Sequence, residues 1–333
     1  MTTTAAQTNA SLMTRLNEIA WAGFRTQAFS AAFDFGIFEA LGDGPLTAEE
    51  LAARTKIHAV GCRRLMAALI DDGLVRREGD RYANTDLGHA CTSRAAVNLG
   101  ALSQINPFYH MAEYLPQAVR EYGPVWREAL GITATDAFAA MYADPARLRR
   151  FADLMDAMSR PQGELIAESF DFAPFRCLMD VAGGPGGQSI VIGTRHPHLR
   201  GVIMDLPPVC TIAHERIEAG GLAGRFVATP GDLLTGPYPE GADILLLGHI
   251  LHDWSDETCA RILNHCAAAL PKGGVLLVSE SVLFPDYSRP HLTALKDLVM
   301  LIANESGARE RTEAEYHALL DAAGFTIQKV LRF

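Results

Sequence analysis

The most constraining feature of this chain is a rhythm in its second half. From Arg176 onward five short apolar runs, CLMDVA, GVIMDL, FVATPGD, ADILLLGHIL and GVLLVSES, alternate with amphipathic stretches of helical period. Runs of strand length, each followed by enough chain for a crossover helix, predict a parallel sheet with helices on both faces, an α/β fold over 170–333. Open sheets of this kind bind ligands at the carboxyl ends of their strands, where the strand order reverses. The chemistry of the chain is therefore expected on that one edge.

The run ends carry suitable residues. The first ends in Asp180-Val181-Ala182-Gly183-Gly184-Pro185-Gly186-Gly187, a turn that lets backbone approach a ligand where a helix begins. The dinucleotide fingerprint G-x-G-x-x-G/A, started at Gly184 and Gly186, meets Ser189 instead of its last small residue, which demotes a nicotinamide cofactor. Asp205 follows the second run, roughly twenty residues on, where a carboxylate can accept hydrogen bonds from ribose hydroxyls. The third run ends in Gly231-Asp232-Leu233 and the fourth in His252-Asp253-Trp254, followed by Ser255 as a helix N-cap with Asp256 and Glu257 in the first turn; the fifth ends at Glu280. A glycine turn, several acids and a histidine on one edge, with no cluster of lysines or arginines for phosphates, specify a nucleoside-bearing ligand beside a base. S-adenosylmethionine carries adenosine without phosphate and fits.

The 333 residues suggest two domains, and a boundary is expected at 100/101, with a helical segment over 101–169 leading into the α/β core. From Leu12 to Leu41 the chain is apolar on several helical faces, through Trp21, Phe24, Phe29, Phe33, Phe35, Ile37 and Phe38. A helix of that kind must be buried on more than one side, which predicts a homodimer through the N-terminal domain. Thr47 and Glu50 form a capping-box pair; a helix follows from Val60 to Asp72, then a hairpin turning at Gly79 and Asp80. Helix, turn, helix and hairpin outline a winged helix, a DNA-binding signature when taken alone. Between Thr47 and Arg81, however, seven basic residues face six acidic ones, and the whole chain has a formal charge of -10. Nucleic acid is not expected as a partner. No apolar run has the length of a membrane span, the opening MTTTAAQTNASL has no leader pattern, and the six cysteines show no metal-ligand spacing, so a cytoplasmic protein with reduced thiols is expected.

The motifs MDVAGGPGG, IMDLPPV, GDLL, HILHDWSDE and ARERTEAEY, in this order behind the winged-helix segment, resemble the plant caffeate-type and bacterial antibiotic-type S-adenosylmethionine-dependent O-methyltransferases. The resemblance covers nearly the whole chain. It implies a Rossmann-like sheet preceded by a winged-helix dimerisation domain. Gly183, Gly184 and Gly186 would line the methionine and ribose part of the cofactor, Asp205 and Leu206 hold the ribose, and Asp232 and Leu233 meet the adenine. Gly248 falls at a cofactor-binding position where plant relatives carry a lysine. His252 matches the catalytic base, with Asp253 beside it, and Glu280 and Glu310 match the acids that flank and orient it. Met155, Met158, Trp254 and Asn304 would face the substrate, and no metal is implied. Ala182 replaces a usual glycine, tolerable if its φ is negative. The chain stops at TIQKVLRF, just after what should be the sixth strand, where relatives continue into a further antiparallel strand, so either a shorter sheet or a truncated sequence is expected.

Methyl transfer from a sulfonium is an in-line displacement, and a histidine is suited to removing the proton of a phenol of pKa ~10. The leading expectation is thus a small-molecule O-methyltransferase acting on an aromatic hydroxyl in specialised metabolism. N- or C-methylation, hydroxylation on the same fold, a ligand-sensing regulator and a nicotinamide oxidoreductase remain open alternatives. His249, three residues before His252, would lie on the opposite face of a continuing strand and play a structural or rim role.

Overall fold

The computed structural model describes residues 5–95, 97–105, 108–284 and 292–333. Residues 1–4, part of the opening in which no leader was read, lie outside this set. The chain divides into two compact units, Met1–Asn106 and Pro107–Phe333; the expected boundary at 100/101 falls inside a 3-10 helix, Leu99–Ile105.

The first unit runs α1 (Ala5–Asp34), α2 (Ile37–Leu41), β1 (Leu46–Thr47), α3 (Ala48–Thr55), α4 (Ala59–Asp71), β2 (Val75–Glu78), β3 (Arg81–Asn84) and α5 (Asp86–His89). Thr47 and Glu50 form the capping box that starts α3, and β2 and β3 pair antiparallel around the Gly79-Asp80 turn. The hairpin gains a third strand that the sequence reading did not contain, because β1 is two residues long and one of them also caps α3. Ile37, Phe38, Leu41, Leu51, Met66 and Leu69 form its buried core. Most of α1 stays outside it: Leu12, Leu16, Ile19, Trp21 and Phe24 are each more than half exposed.

The second unit begins with α6 (Phe108–Ala112), α7 (Leu115–Glu121), α8 (Trp126–Leu130), α9 (Ala134–Ala143) and α10 (Pro145–Ser169). The α/β part follows as β4 (Cys177–Val181), α11 (Gly187–Arg195), β5 (Arg200–Asp205), α12 (Pro207–Ala219), β6 (Phe226–Pro230), β7 (Ile244–Gly248), α13 (Asp256–Ala269), β8 (Val275–Ser279), α14 (Leu292–Ala303) and α15 (Glu313–Ala322). The sheet is parallel in the order β6-β5-β4-β7-β8. Order reverses at β4, which pairs with β5 on one side and β7 on the other, so the switch point lies between the ends of β4 and β7. Four of the five residues of β4 and of β7 are buried, as expected for central strands covered on both faces.

Two expectations fail here. TIQKVLRF forms no sixth strand: among the described residues the sheet has five strands, and Val330 and Phe333 remain exposed. The segment leaves the outer edge of β8 unpaired, and its Arg332 is instead ion-paired with Glu313 of α15 at 2.7 Å. In addition, β7 stops at Gly248, so HILHDW is not strand. Its chain bends at His249, whose φ is +57°, into a 3-10 turn, Leu251–Asp253.

Candidate active site at the carboxyl edge of the sheet

The turn after β4 is tightly wound. Gly186, at φ +85°, is the N-cap of α11, and a Cβ there would collide with Ile203 of β5. A side chain at Gly183 would collide with the Asp180 carboxyl. Ala182 is itself left-handed, at φ +54°, which contradicts the negative φ its tolerance required. The conformation costs an L-residue about 1–2 kcal/mol, so the turn is held by its surroundings against local preference. Gly183 N–H donates to Met204 O at 3.2 Å, and Gly184 N–H donates to Asp205 Oδ2 at 2.8 Å. Above Gly184 there is open space: a Cβ would meet nothing within 4 Å.

Asp205 ends β5, and its Oδ1 accepts the Leu206 N–H at 2.7 Å. Burial raises its pKa, while the N–H groups of Leu206 and Gly184 oppose the rise. Next to it, Gly231 N–H donates to Asp205 O, which brings Asp232 and Leu233 to the same edge; Asp232 is exposed and Leu233 half-buried. Asp180, below the turn, is pushed up to about 7 by burial, with hydrogen bonds from Ser189 opposing. Ser189 therefore serves the turn's foundation. Gly248 has a reason of its own: a side chain there would strike the Gln188 amide, whose Nε2 donates to Ser279 Oγ at 3.3 Å. Gln188 occupies the room that a lysine at 248 would need, and the sequence reading missed it.

His252 sits in the 3-10 turn, 8% exposed, among carboxylates. Its Nδ1 is 3.1 Å from Glu310 Oε1 and 3.6 Å from Glu280 Oε2, and its Nε2 is 3.6 Å from Asp253 Oδ1. A carboxylate accepts, so Glu310 fixes the proton on Nδ1 and leaves Nε2 as the basic nitrogen. Burial disfavours the imidazolium, but Glu280, Asp253 and Glu310 together overcome that and push His252 up to about 10. Burial raises Glu280 and Asp253 in turn. Asp253 and Glu280 each favour the imidazolium, and the imidazolium opposes the rise of both acids.

The scaffold explains how the turn is held. Glu280 Oε1 accepts the N–H groups of Ile250 and Leu251 at 2.9 and 2.7 Å, so the same side chain supports the turn and flanks the imidazole. Arg311, fully buried, donates to the carbonyls of Leu251 and Trp254 and to Asp256 Oδ1 at 2.8 Å. Asp297 on α14 accepts the Glu310 N–H at 2.9 Å. Neither Arg311 nor Asp297 was singled out from sequence, although Arg311 lies in the quoted RERT stretch. Asn304 donates to Asp253 Oδ1 at 2.6 Å, so its amide is engaged by the cluster. Trp254 packs against the core beneath the turn. Met155 and Met158 are half-buried on α10.

His249 is not on an opposite face. Its ring lies 5.6 Å from that of His252, because the left-handed residue at 249 and the 3-10 turn wind both imidazoles to one side. Tyr142 of α9, also missed, is half-buried, and burial together with the charges of Asp205 and Asp253 pushes its hydroxyl up to about 12.

This arrangement has relatives. The O-methyltransferase domain matches residues 112–326, and the O-methyltransferase dimerisation domain matches residues 20–94. The chain is 34% identical over 333 residues to 3-hydroxy-5-methyl-1-naphthoate 3-O-methyltransferase of Streptomyces sahachiroi, covering 96% of this chain and 91% of the relative. It is 31% identical over 321 residues to an N,N-dimethyltransferase of Streptomyces rimosus, covering 95% and 92%. The crystal structure of human N-acetylserotonin methyltransferase in complex with SAM superposes with a TM-score of 0.87 at 28% identity, over 95% of this chain and 92% of that one. The chain belongs to the O-methyltransferase family and is a small-molecule O-methyltransferase, with a dimerisation domain ahead of its catalytic part.

Proposed function

We propose that the protein transfers the methyl group of S-adenosylmethionine to an aromatic hydroxyl, with His252 as general base. The observation that carries this reading is His252 itself, a buried imidazole with Nδ1 held by Glu310 and Nε2 left basic. The cofactor fits the edge: space is open at Gly184, Asp205 and Asp232 present carboxylates, and neither 180–189 nor 205–209 contains a lysine or arginine to take a phosphate. Gly183, Gly184 and Gly186 bring backbone close to the methionine and ribose part, Asp205 with Leu206 holds the ribose, and Asp232 with Leu233 meets the adenine. Gly248 leaves its place there to Gln188. When bound, S-adenosylmethionine supplies an electrophilic methyl carbon on sulfur.

The chain's own residues orient the acceptor and manage its proton. His252 takes the hydroxyl proton at Nε2, and Asp253, Glu280 and Glu310 stabilise the imidazolium that forms. With its pKa raised the imidazole is charged near neutral pH and acts as base once its Nε2 proton has left; a positioned base is typically worth about 10²–10⁴ in rate. Met155, Met158 and Tyr142 shape the acceptor's side of the cleft, and Trp254 and Asn304 hold the turn and Asp253. Identity to a naphthoate O-methyltransferase supports a bicyclic hydroxylated acceptor of natural-product type. Identity to an N,N-dimethyltransferase supports amine methylation as the second reading.

The exposed apolar face of α1 and the match to a dimerisation domain support a homodimer. Nucleic acid is not a partner in this reading, since Arg76 and Arg81 of the hairpin are ion-paired with Glu78 and Glu50 at 2.8 Å. Among the described residues no helix is long and apolar enough to cross a membrane.

Calorimetric titration with S-adenosylhomocysteine, followed by turnover on hydroxynaphthoates and aromatic amines with NMR of the products, tests the proposal. Micromolar binding that Asp205→Ala weakens at least tenfold, with methyl found on oxygen, is expected. Methyl found on nitrogen alone would replace the first reading with the second, and absence of binding would remove both.

A further inference from the structure

We propose that His249, His252 and Glu280 form an inhibitory site for a divalent cation of the zinc type. Each offers one ligand atom, and these atoms lie within 4.8 Å of one another; among the described residues this is the one trio of His, Cys, Asp or Glu so arranged. Ligand atoms around an ion at about 2.1 Å lie roughly 3–4 Å apart, so side-chain shifts of about an ångström close the site.

The hydrogen bonding around the trio is that of a site waiting for a donor or a cation. His249 Nδ1, Glu280 Oε2 and Glu310 Oε2 are buried atoms without a hydrogen-bond partner. All three bear lone pairs, and they cannot satisfy one another. Gln162 Oε1 lies 2.9 Å from His249 Nε2 and accepts its proton, which leaves the Nδ1 lone pair directed inward. That pairing of an amide or carboxylate oxygen with the outer nitrogen is how metal-bound imidazoles are held. Charge points the same way: Asp253, Glu280 and Glu310 surround His252, while Lys296 donates its ammonium to Ser281 Oγ at 3.2 Å. Nδ1 is too enclosed for an organic acceptor to touch, so only an ion or a water could reach it. Two imidazoles and one carboxylate select zinc, cobalt, nickel or copper over magnesium or calcium. An ion on either nitrogen of His252 competes with the proton exchange that methyl transfer needs, so inhibition rests on His252 being the base; binding does not.

The full chain is titrated with Co²⁺ and Zn²⁺ by calorimetry and visible absorption, beside His249→Gln and Gln162→Leu, with S-adenosylhomocysteine affinity reporting that each is folded. Methyl transfer is measured in EDTA and in added Zn²⁺. Expected are one ion per chain, d–d bands without thiolate charge transfer, at least about tenfold weaker binding in both variants, and correspondingly higher Zn²⁺ for half-inhibition of His249→Gln. Absence of stoichiometric binding, a thiolate band, or unchanged affinity in His249→Gln would overturn the site. Binding that His249→Gln removes, with wild-type transfer indifferent to the ion, would keep the site but overturn the inhibition and the assignment of His252 as base.

Discussion

At His252 the physical tension of the site is plain: a buried imidazole should resist protonation, yet three carboxylates make its cation favourable. A base must start neutral, so methyl transfer should rise with pH, its limb set by the shared titration of the cluster. Replacing Glu280 by Gln removes a charge that favours the imidazolium, lowers the His252 pKa and moves that limb to lower pH. A pH profile of kcat/KM in EDTA checks this; a limb that stays in place in Glu280→Gln would assign it to another group. Much of this residue set was legible beforehand. Asp205, His252, Glu280 and Glu310 were named from strand ends and motif order, and the fold brings both glutamates within hydrogen-bond or ion-pair range of His252. What was illegible depends on backbone winding: a single left-handed residue at 249 turns two imidazoles to one side, and no alternation rule anticipates it.

The same holds for elements. Strands β4 and β5, and β7 as far as Gly248, were read correctly because central strands are continuous apolar runs, whereas TIQKVLRF has the composition of a strand and leaves the edge at β8 unpaired. The turn after β4 carries a local cost that sequence could only phrase as a condition. With Ala182 at φ +54°, the Ala182→Gly variant should relieve strain and raise stability by about 0.5–1 kcal/mol after the entropy of glycine is counted. Urea unfolding measures it, and a loss of stability would mean that the Cβ of Ala182, which packs against the core beneath the sheet, contributes more than the strain costs. The 3-10 turn shows how an element too short to be predicted can still be rigid: Glu280 holds its N–H groups and Arg311 its carbonyls.

At the scale of the molecule, the long helix α1 has an apolar surface with no use inside its own unit. Substituting Trp21 and Phe24 together by Asp should halve the mass measured by light scattering, since each aromatic contributes about 1.5–3 kcal/mol when buried; an unchanged mass would place the dimer contact elsewhere. In the second unit the topology gathers residues from Asp180 to Glu310 onto one edge, so that a cofactor cradle at β4 and β5 adjoins a base after β7. The central claim is that these are separable functions of one site, binding by the first and proton removal by the second. Single-turnover methyl transfer to a hydroxynaphthoate by wild type and His252→Ala, with S-adenosylhomocysteine affinity measured on the same samples, tests it most directly. Unchanged affinity with transfer reduced about 10²–10⁴-fold is the predicted result; transfer retained at the wild-type rate would contradict the account.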